Sequence, residues 1–104
     1  MEANDSNIQH ILNVNRLIHE PARVAIMSLL SVVEEADFLF IMNKTGLTQG
    51  NLSSHLAKLE AADYIKIRKA FKGKRPITFI KISELGRSVF DEYLISLKQF
   101  IGGI

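Results

Sequence analysis

The chain contains no cysteine, which excludes disulfides, thiolate metal sites and cysteine nucleophiles together. No apolar run approaches the ~18 residues that a membrane-spanning helix needs. Its histidines, His10, His19 and His55, are scattered, and no pair has metal-ligand spacing on one element. No metal and no cofactor is therefore expected. Catalytic signatures are missing as well: there is no Gly-rich phosphate loop, no HExxH pair and no nucleophile elbow. Asp91 and Glu92 are adjacent, so on a helix they point to different sides and form no converging acid pair. An enzyme is not expected. The opening MEANDSN is polar and acidic rather than basic then apolar, so it is not a secretory signal, and a cytoplasmic protein is expected.

What is present fits one small domain. The 104 residues are 47% hydrophobic and 23% charged, an ordinary globular balance. Residues 1–7 read as a flexible tail and 8–104 as one domain. The net charge of +2 conceals a division along the chain. From Lys44 to Arg87 there are ten basic and three acidic residues, whereas the remainder has three basic and eight acidic. Such segregation suggests a face suited to a polyanion.

The apolar spacing predicts a helix over 8–18, interrupted by His19-Glu20-Pro21, because the residue before proline avoids the helical region. A core helix should run from Pro21 to about Val33 with Ile26, Leu29, Leu30 and Val33 on one face. Asp37 is a plausible N-cap for a short third helix, FLFIMNK, with Phe38, Ile41 and Met42 inward. Gly46 fits the left-handed position just past its end. Thr48 can cap a fourth helix running to about Ala62, completing a helix-turn-helix. The period then changes: a basic strand to about Phe71, a turn at Lys72-Gly73-Lys74-Arg75, and a second strand over 77–82 introduced by Pro76. Ser83 is the cap candidate for a last helix, about 84–100. The expected fold is mostly α with a small β-hairpin: a winged helix-turn-helix with a three-helix core, a two-stranded wing and additional terminal helices.

Residues 45–60, TGLTQGNLSSHLAKLE, carry Leu52, Leu56 and Leu59 at the spacing of a helix packed on a core. The opposite side opens with Gln49, Gly50, Asn51, Ser53 and Ser54, mostly poor helix formers. Capping alone explains some of this. A reading end explains more, since Gln and Asn pair two-pronged with adenine, Ser reaches base edges or phosphate, and Gly50 lets the backbone approach DNA closely. His55, beside the leucine stripe, is expected to serve structure. The hairpin KIRKAFKGKRP holds Lys66, Arg68, Lys69, Lys72, Lys74 and Arg75 within ten residues that contain no acid. Edge lysines deter strand pairing, but that accounts for two or three charges rather than six. Lys72, Lys74 and Arg75 are expected along phosphates, with Arg75 able to enter a narrowed minor groove. Phe71 is expected to anchor the wing to the body. Thr78, Lys81 and Arg87 are lesser candidates for backbone contact.

The runs HEPARVAIMSLL, TGLTQGNLSSHLAKLEAADYI and KAFKGKRPITFIKIS-ELGR resemble the small winged-helix transcriptional regulators related to the MarR-like and ArsR-like families. The resemblance covers roughly residues 19–100. It is greatest to single-domain members reading TGLTxGNLSxHLxxLE. An alanine of AADYI stands where the more usual EAGY has glycine. The clustered Cys, His or Asp of ArsR-like metal sensors is missing.

Together these readings point to a transcriptional regulator that binds double-stranded DNA sequence-specifically. Helix 48–62 would lie in the major groove through Thr48, Gln49, Gly50, Asn51, Ser53, Ser54 and Lys58. The wing, 66–82, would hold the backbone or minor groove through Arg68, Lys69, Lys72, Lys74 and Arg75. The apolar breadth of the terminal helices exceeds the needs of a monomer, and the resemblance implies a homodimer. Ile8, Ile11, Leu12, Phe90, Tyr93, Leu94, Leu97, Phe100 and Ile101 are the dimerisation candidates. The competing reading is a winged-helix protein-interaction module without DNA specificity, and RNA is a third partner to consider. Nothing in the sequence marks a small-molecule effector site.

Overall fold

The computed structural model describes residues 14–102. Among the described residues four helices and three strands follow in the order α1 (Pro21–Ser31), β1 (Ala36–Asp37), α2 (Phe38–Thr45), α3 (Gln49–Ala61), β2 (Ile65–Lys72), β3 (Arg75–Ile82) and α4 (Glu84–Gly102). The sheet is antiparallel with strand order β1-β3-β2.

Local chemistry explains most element boundaries. Glu20 caps α1 by accepting the Arg23 N–H at 3.0 Å, and Pro21 occupies the first turn, where a missing N–H costs nothing. Helix α1 stops at Ser31, two residues short of the expected Val33, and buries Met27 beside Ile26 and Leu30. Asp37 accepts the Phe40 N–H at 2.8 Å to begin α2. Gly46, at φ 72, ends it and donates to the Met42 carbonyl at 2.9 Å. Thr48 accepts the Asn51 N–H at 3.2 Å to begin α3. Ser83 does the same for α4, accepting the Gly86 N–H at 2.9 Å.

Three sequence expectations are corrected. The helix expected over 8–18 does not continue through the described part of that range, where Arg16–Ile18 form a single turn. Asn15 diverts the chain: its side-chain oxygen accepts the Ile18 N–H at 3.0 Å, offering the backbone an alternative to a helical ladder. Ile8, Ile11 and Leu12 lie outside the described residues. Second, the wing belongs to a three-stranded sheet, because Ala36 and Asp37 pair with Ile80 and Phe79. Third, the turn after α3 takes its left-handed residue from Asp63, at φ 63, and not from an alanine. The Asp63 and Tyr64 N–H groups bond the Glu60 and Leu59 carbonyls, so Asp63 holds the position glycine usually fills in this motif. Aspartate is among the few other residues that tolerate it.

The core joins Ile18 and α1 (Ile26, Met27, Leu30) to Ile41 of α2, the α3 leucines, and Ile65, Ile80 and Ile82 of the sheet. Phe90 and Tyr93 of α4 close it. Gly86 is required there: a Cβ at this position would stand 1.9 Å from the Tyr64 carbonyl oxygen. Among the described residues no helix is long and apolar enough to cross a membrane.

Candidate nucleic-acid interface

Helix α3 divides cleanly. Leu52, Leu56 and Leu59 are buried, while Gln49, Gly50, Asn51, Ser53, Ser54 and Lys58 are exposed, as is the cap, Thr48. Its first turn therefore presents small hydrogen-bonding groups on a helix held from behind by leucine. Its orientation has a second restraint at His55. The Arg23 guanidinium donates to His55 Nδ1 at 3.0 Å and also to the Leu17 carbonyl, and Glu20 lies 3.6 Å from the same ring nitrogen. Burial pushes the Glu20 carboxyl up. The Arg23 and Ala22 N–H groups, with His55 and the Arg23 charge, outweigh it and hold the carboxyl below its ordinary value.

The wing is a tight hairpin closed by Gly73 and Lys74 between the paired Lys72 and Arg75. Gly73 has φ 67 and Lys74 is not left-handed, the arrangement of a type II′ turn, whose twist matches that of the strands. The pair flanking such a turn is hydrogen-bonded and the next, Phe71 with Pro76, is not. Proline's missing donor thus points away from β2, along the edge of β3 that β1 covers only at Phe79 and Ile80.

Directly paired residues share a sheet face, so the register sorts the wing. Ile65, Ile67, Ile80 and Ile82 face the helices. The same face continues outward through Lys69, Thr78, Phe71 and Pro76. Lys66, Arg68, Lys72, Arg75, Phe79 and Lys81 lie on the opposite face. On that face Arg68 is engaged: its guanidinium donates to Glu35 at 2.7 and 3.3 Å and lies 4.4 Å over the Phe79 ring. The bond to Arg68 holds the Glu35 carboxyl below its ordinary value and raises Arg68 in turn. Glu35 precedes β1, Phe79 is on the central strand and Arg68 is on β2, so the cluster braces all three strands. Arg68 is the wing cation that the structure places in a brace rather than at the tip.

Phe71, expected as the anchor, is 75% exposed, because the helices do not extend beneath that part of the sheet. The anchoring aromatic is instead Phe79, on the other strand and the other face. Sequence alternation could have paired Arg68 with Phe79 once the turn was fixed at Gly73-Lys74. Arg87 is also committed inside the chain, donating to the Ser31 carbonyl at the end of α1 at 3.1 Å.

Between the start of α3 and β3 runs a groove of about 540 Å³. Gln49 and Ser53 line one side, and Lys72, Arg75, Pro76 and Thr78 the other, with the start of α2 at its base. Lys74 and Lys69 are exposed on the wing beyond it. The structure thus brings together residues expected at two separate contacts. Among the described residues no cluster of three His, Asp or Glu could hold a metal ion.

A helix-turn-helix followed by a sheet-braced basic hairpin, with a groove between them, is the arrangement of known DNA-binding folds. Residues 22–101 match the family model described as a winged helix DNA-binding domain. The chain belongs to this family. The winged-helix chain is 34% identical over 84 residues to an uncharacterized protein of Methanocaldococcus jannaschii, covering 81% of this chain and 91% of that one. A transcriptional regulator homologue from Pyrococcus horikoshii superimposes with a TM-score of 0.85 at 32% identity, over 94% of this chain and 96% of that one. A MarR-family regulator from Silicibacter pomeroyi shares the fold at TM-score 0.61 and 19% identity, over 98% and 70%. The winged-helix chain therefore has the fold of transcriptional regulators, MarR-family members among them.

The last helix divides the dimerisation candidates of this winged-helix chain. Phe90 and Tyr93 are buried in its own core, and the Tyr93 hydroxyl lies 2.8 Å from His19 Nδ1; burial raises the pKa of this phenol. They are corrected from the set available to a partner. Leu94 and Ile101 are exposed and Leu97 and Phe100 half-buried, and an exposed Ile95, not among the sequence candidates, joins them.

Proposed function

We propose that the protein is a homodimeric, sequence-specific regulator of transcription that binds double-stranded DNA. The reading rests on the groove that sets Gln49 and Ser53 of α3 across from Lys72 and Arg75 of the wing. A sugar-phosphate strand fits between them, leaving α3 in the major groove and the wing tip over the adjacent minor groove. Gln49, Asn51, Ser53 and Ser54 supply base readout, and Lys69, Lys72, Lys74 and Arg75 supply phosphate contact. No acidic residue occurs between Asp63 and Glu84, so nothing in the wing repels the backbone. Leu94, Ile95, Leu97, Phe100 and Ile101 of α4 form the surface for a second copy. Two-fold symmetry would then set two recognition helices about one turn of DNA apart.

Selection of bound duplexes from a random DNA pool tests all of this at once. Enrichment of a palindrome is expected. Recovery of unenriched sequence would overturn specificity, and an enriched single half-site would overturn the dimer.

A further inference from the structure

Phe71 is the residue the preceding reading leaves unused. It is 75% exposed on a strand whose other large apolar side chains, Ile65 and Ile67, are covered by the helices. Cations flank it: Lys69 two residues earlier on the same face, Lys72 and Arg75 next to it on the opposite face, and Lys74 in the turn. Its cross-strand neighbour is Pro76, a lining residue of the groove next to α3. Phe71 therefore lies one strand beyond the groove's lining, on the helix-facing face of the hairpin. A neutral aromatic within the densest positive charge of the chain suits a partner whose phosphates flank apolar, stackable surfaces. Nucleic acid has that pattern, as base steps opened from the minor groove receive apolar side chains while lysine and arginine hold the strands on either side.

We propose that Phe71 is an apolar wedge that enters the minor groove next to the wing and unstacks one base step. This rests on the duplex-DNA reading above. It adds what that reading lacks, a contact sensitive to the flexibility of a step that no side chain of α3 touches. Pyrimidine–purine steps, the easiest to unstack, are the favoured sequence at that position.

A simpler account is that phenylalanine is present because aromatics suit strands and pair across them. Threonine also suits strands but is too small to wedge, so Phe71→Thr separates the accounts. Duplexes enriched from the random pool, carrying 2-aminopurine at successive positions beside the α3 contacts, report unstacking by increased fluorescence. The wild-type protein is expected to brighten one step, with Phe71→Leu retaining the signal. Phe71→Thr, folded by circular dichroism, is expected to abolish it and to bind about tenfold more weakly. Its salt dependence should be unchanged, because no charge is removed. If Phe71→Thr matches wild type in affinity and fluorescence while both bind duplex, the wedge is refuted and the DNA reading stands. If wild type binds no duplex, both fall.

Discussion

Replacing Gly50 by alanine should move stability and DNA affinity in opposite directions. Gly50 is the second residue of α3, has ordinary helical φ, and a Cβ built on it meets nothing within 4 Å. Alanine is favoured over glycine in helices by about 0.5–1 kcal/mol, mainly because the unfolded chain loses less freedom. In a first turn the lower end applies, near ~0.5 kcal/mol, or a rise in melting temperature of roughly 2–4 °C for a domain of this size. Against DNA the same methyl adds a ~1.5 Å bond where the backbone is proposed to lie closest to the bases. Lifting Gln49, Asn51 and Ser53 by even part of that distance would break at least one base contact, each worth about 1–3 kcal/mol. Binding should fall about 10- to 100-fold. Melting at fixed protein concentration and titration of a selected duplex supply the two numbers. Gly46→Ala is the control, since φ there is 72 and a side chain in that region costs about 1–2 kcal/mol; its melting temperature should fall. If Gly50→Ala binds DNA as wild type does, the α3 backbone does not approach the bases and the proposed docking is wrong. If it melts lower, the start of α3 is not as described.

The braced and free wing cations should differ in salt dependence. Lys74→Ala and Arg75→Ala should each reduce the slope of log K against log salt by about 0.9. Arg68→Ala, whose charge faces Glu35, should leave the slope nearly unchanged and lower thermal stability instead. The same pair has a pH signature. Glu35 has its pKa lowered from 4.5, so its contribution is complete above the unfolded value and disappears as pH falls through the lower folded one. The melting-temperature gap between wild type and Glu35→Gln should be constant from pH 7 to about pH 5 and close in more acidic buffer; a gap that widens in acid would refute the pairing. Gly86→Ala would force a methyl to within 1.9 Å of the Tyr64 carbonyl oxygen, a backbone atom that also accepts the Ser83 N–H. A loss of about 2 kcal/mol or more is expected, seen as a melting temperature lower by roughly 10 °C or more.

Features decided within a few residues were legible in the sequence. Asp37, Thr48 and Ser83 cap helices through bonds that span three residues, and Gly46 and Pro76 take positions fixed by their own backbone chemistry. Features decided by distant parts of the chain were not. Strand β1 has two residues and no period to read, and exists because β3 offers it an edge. The fate of Arg68 depends on a carboxylate 33 residues away. The exposure of Phe71 depends on where the helical layer ends beneath the sheet, which no alternation pattern encodes. Asn15 shows the reverse failure: an apolar spacing continued through it, and one local side-chain bond redirected the backbone.

The same division explains how the site can be polar without being loose. Each side of the groove is held from behind by groups that do not face it: α3 by its three leucines and the Arg23–His55 bond, the wing by Glu35, Phe79 and Arg68. Glu35 also neutralises a wing cation near the body while Lys72, Lys74 and Arg75 at the tip have no acid in their own strand or turn. Positive charge therefore runs the length of the hairpin, from Lys66 and Lys81 at its base to Lys74 and Arg75 at its tip, with Arg68 offset by Glu35. Under the proposed function, this charge would draw a polyanion to the hairpin and to the groove beside Gln49 and Ser53. On the same reading, affinity supplied by the wing would leave the small polar front of α3 free to discriminate among bases, which would account for a helix start of poor intrinsic propensity at this position.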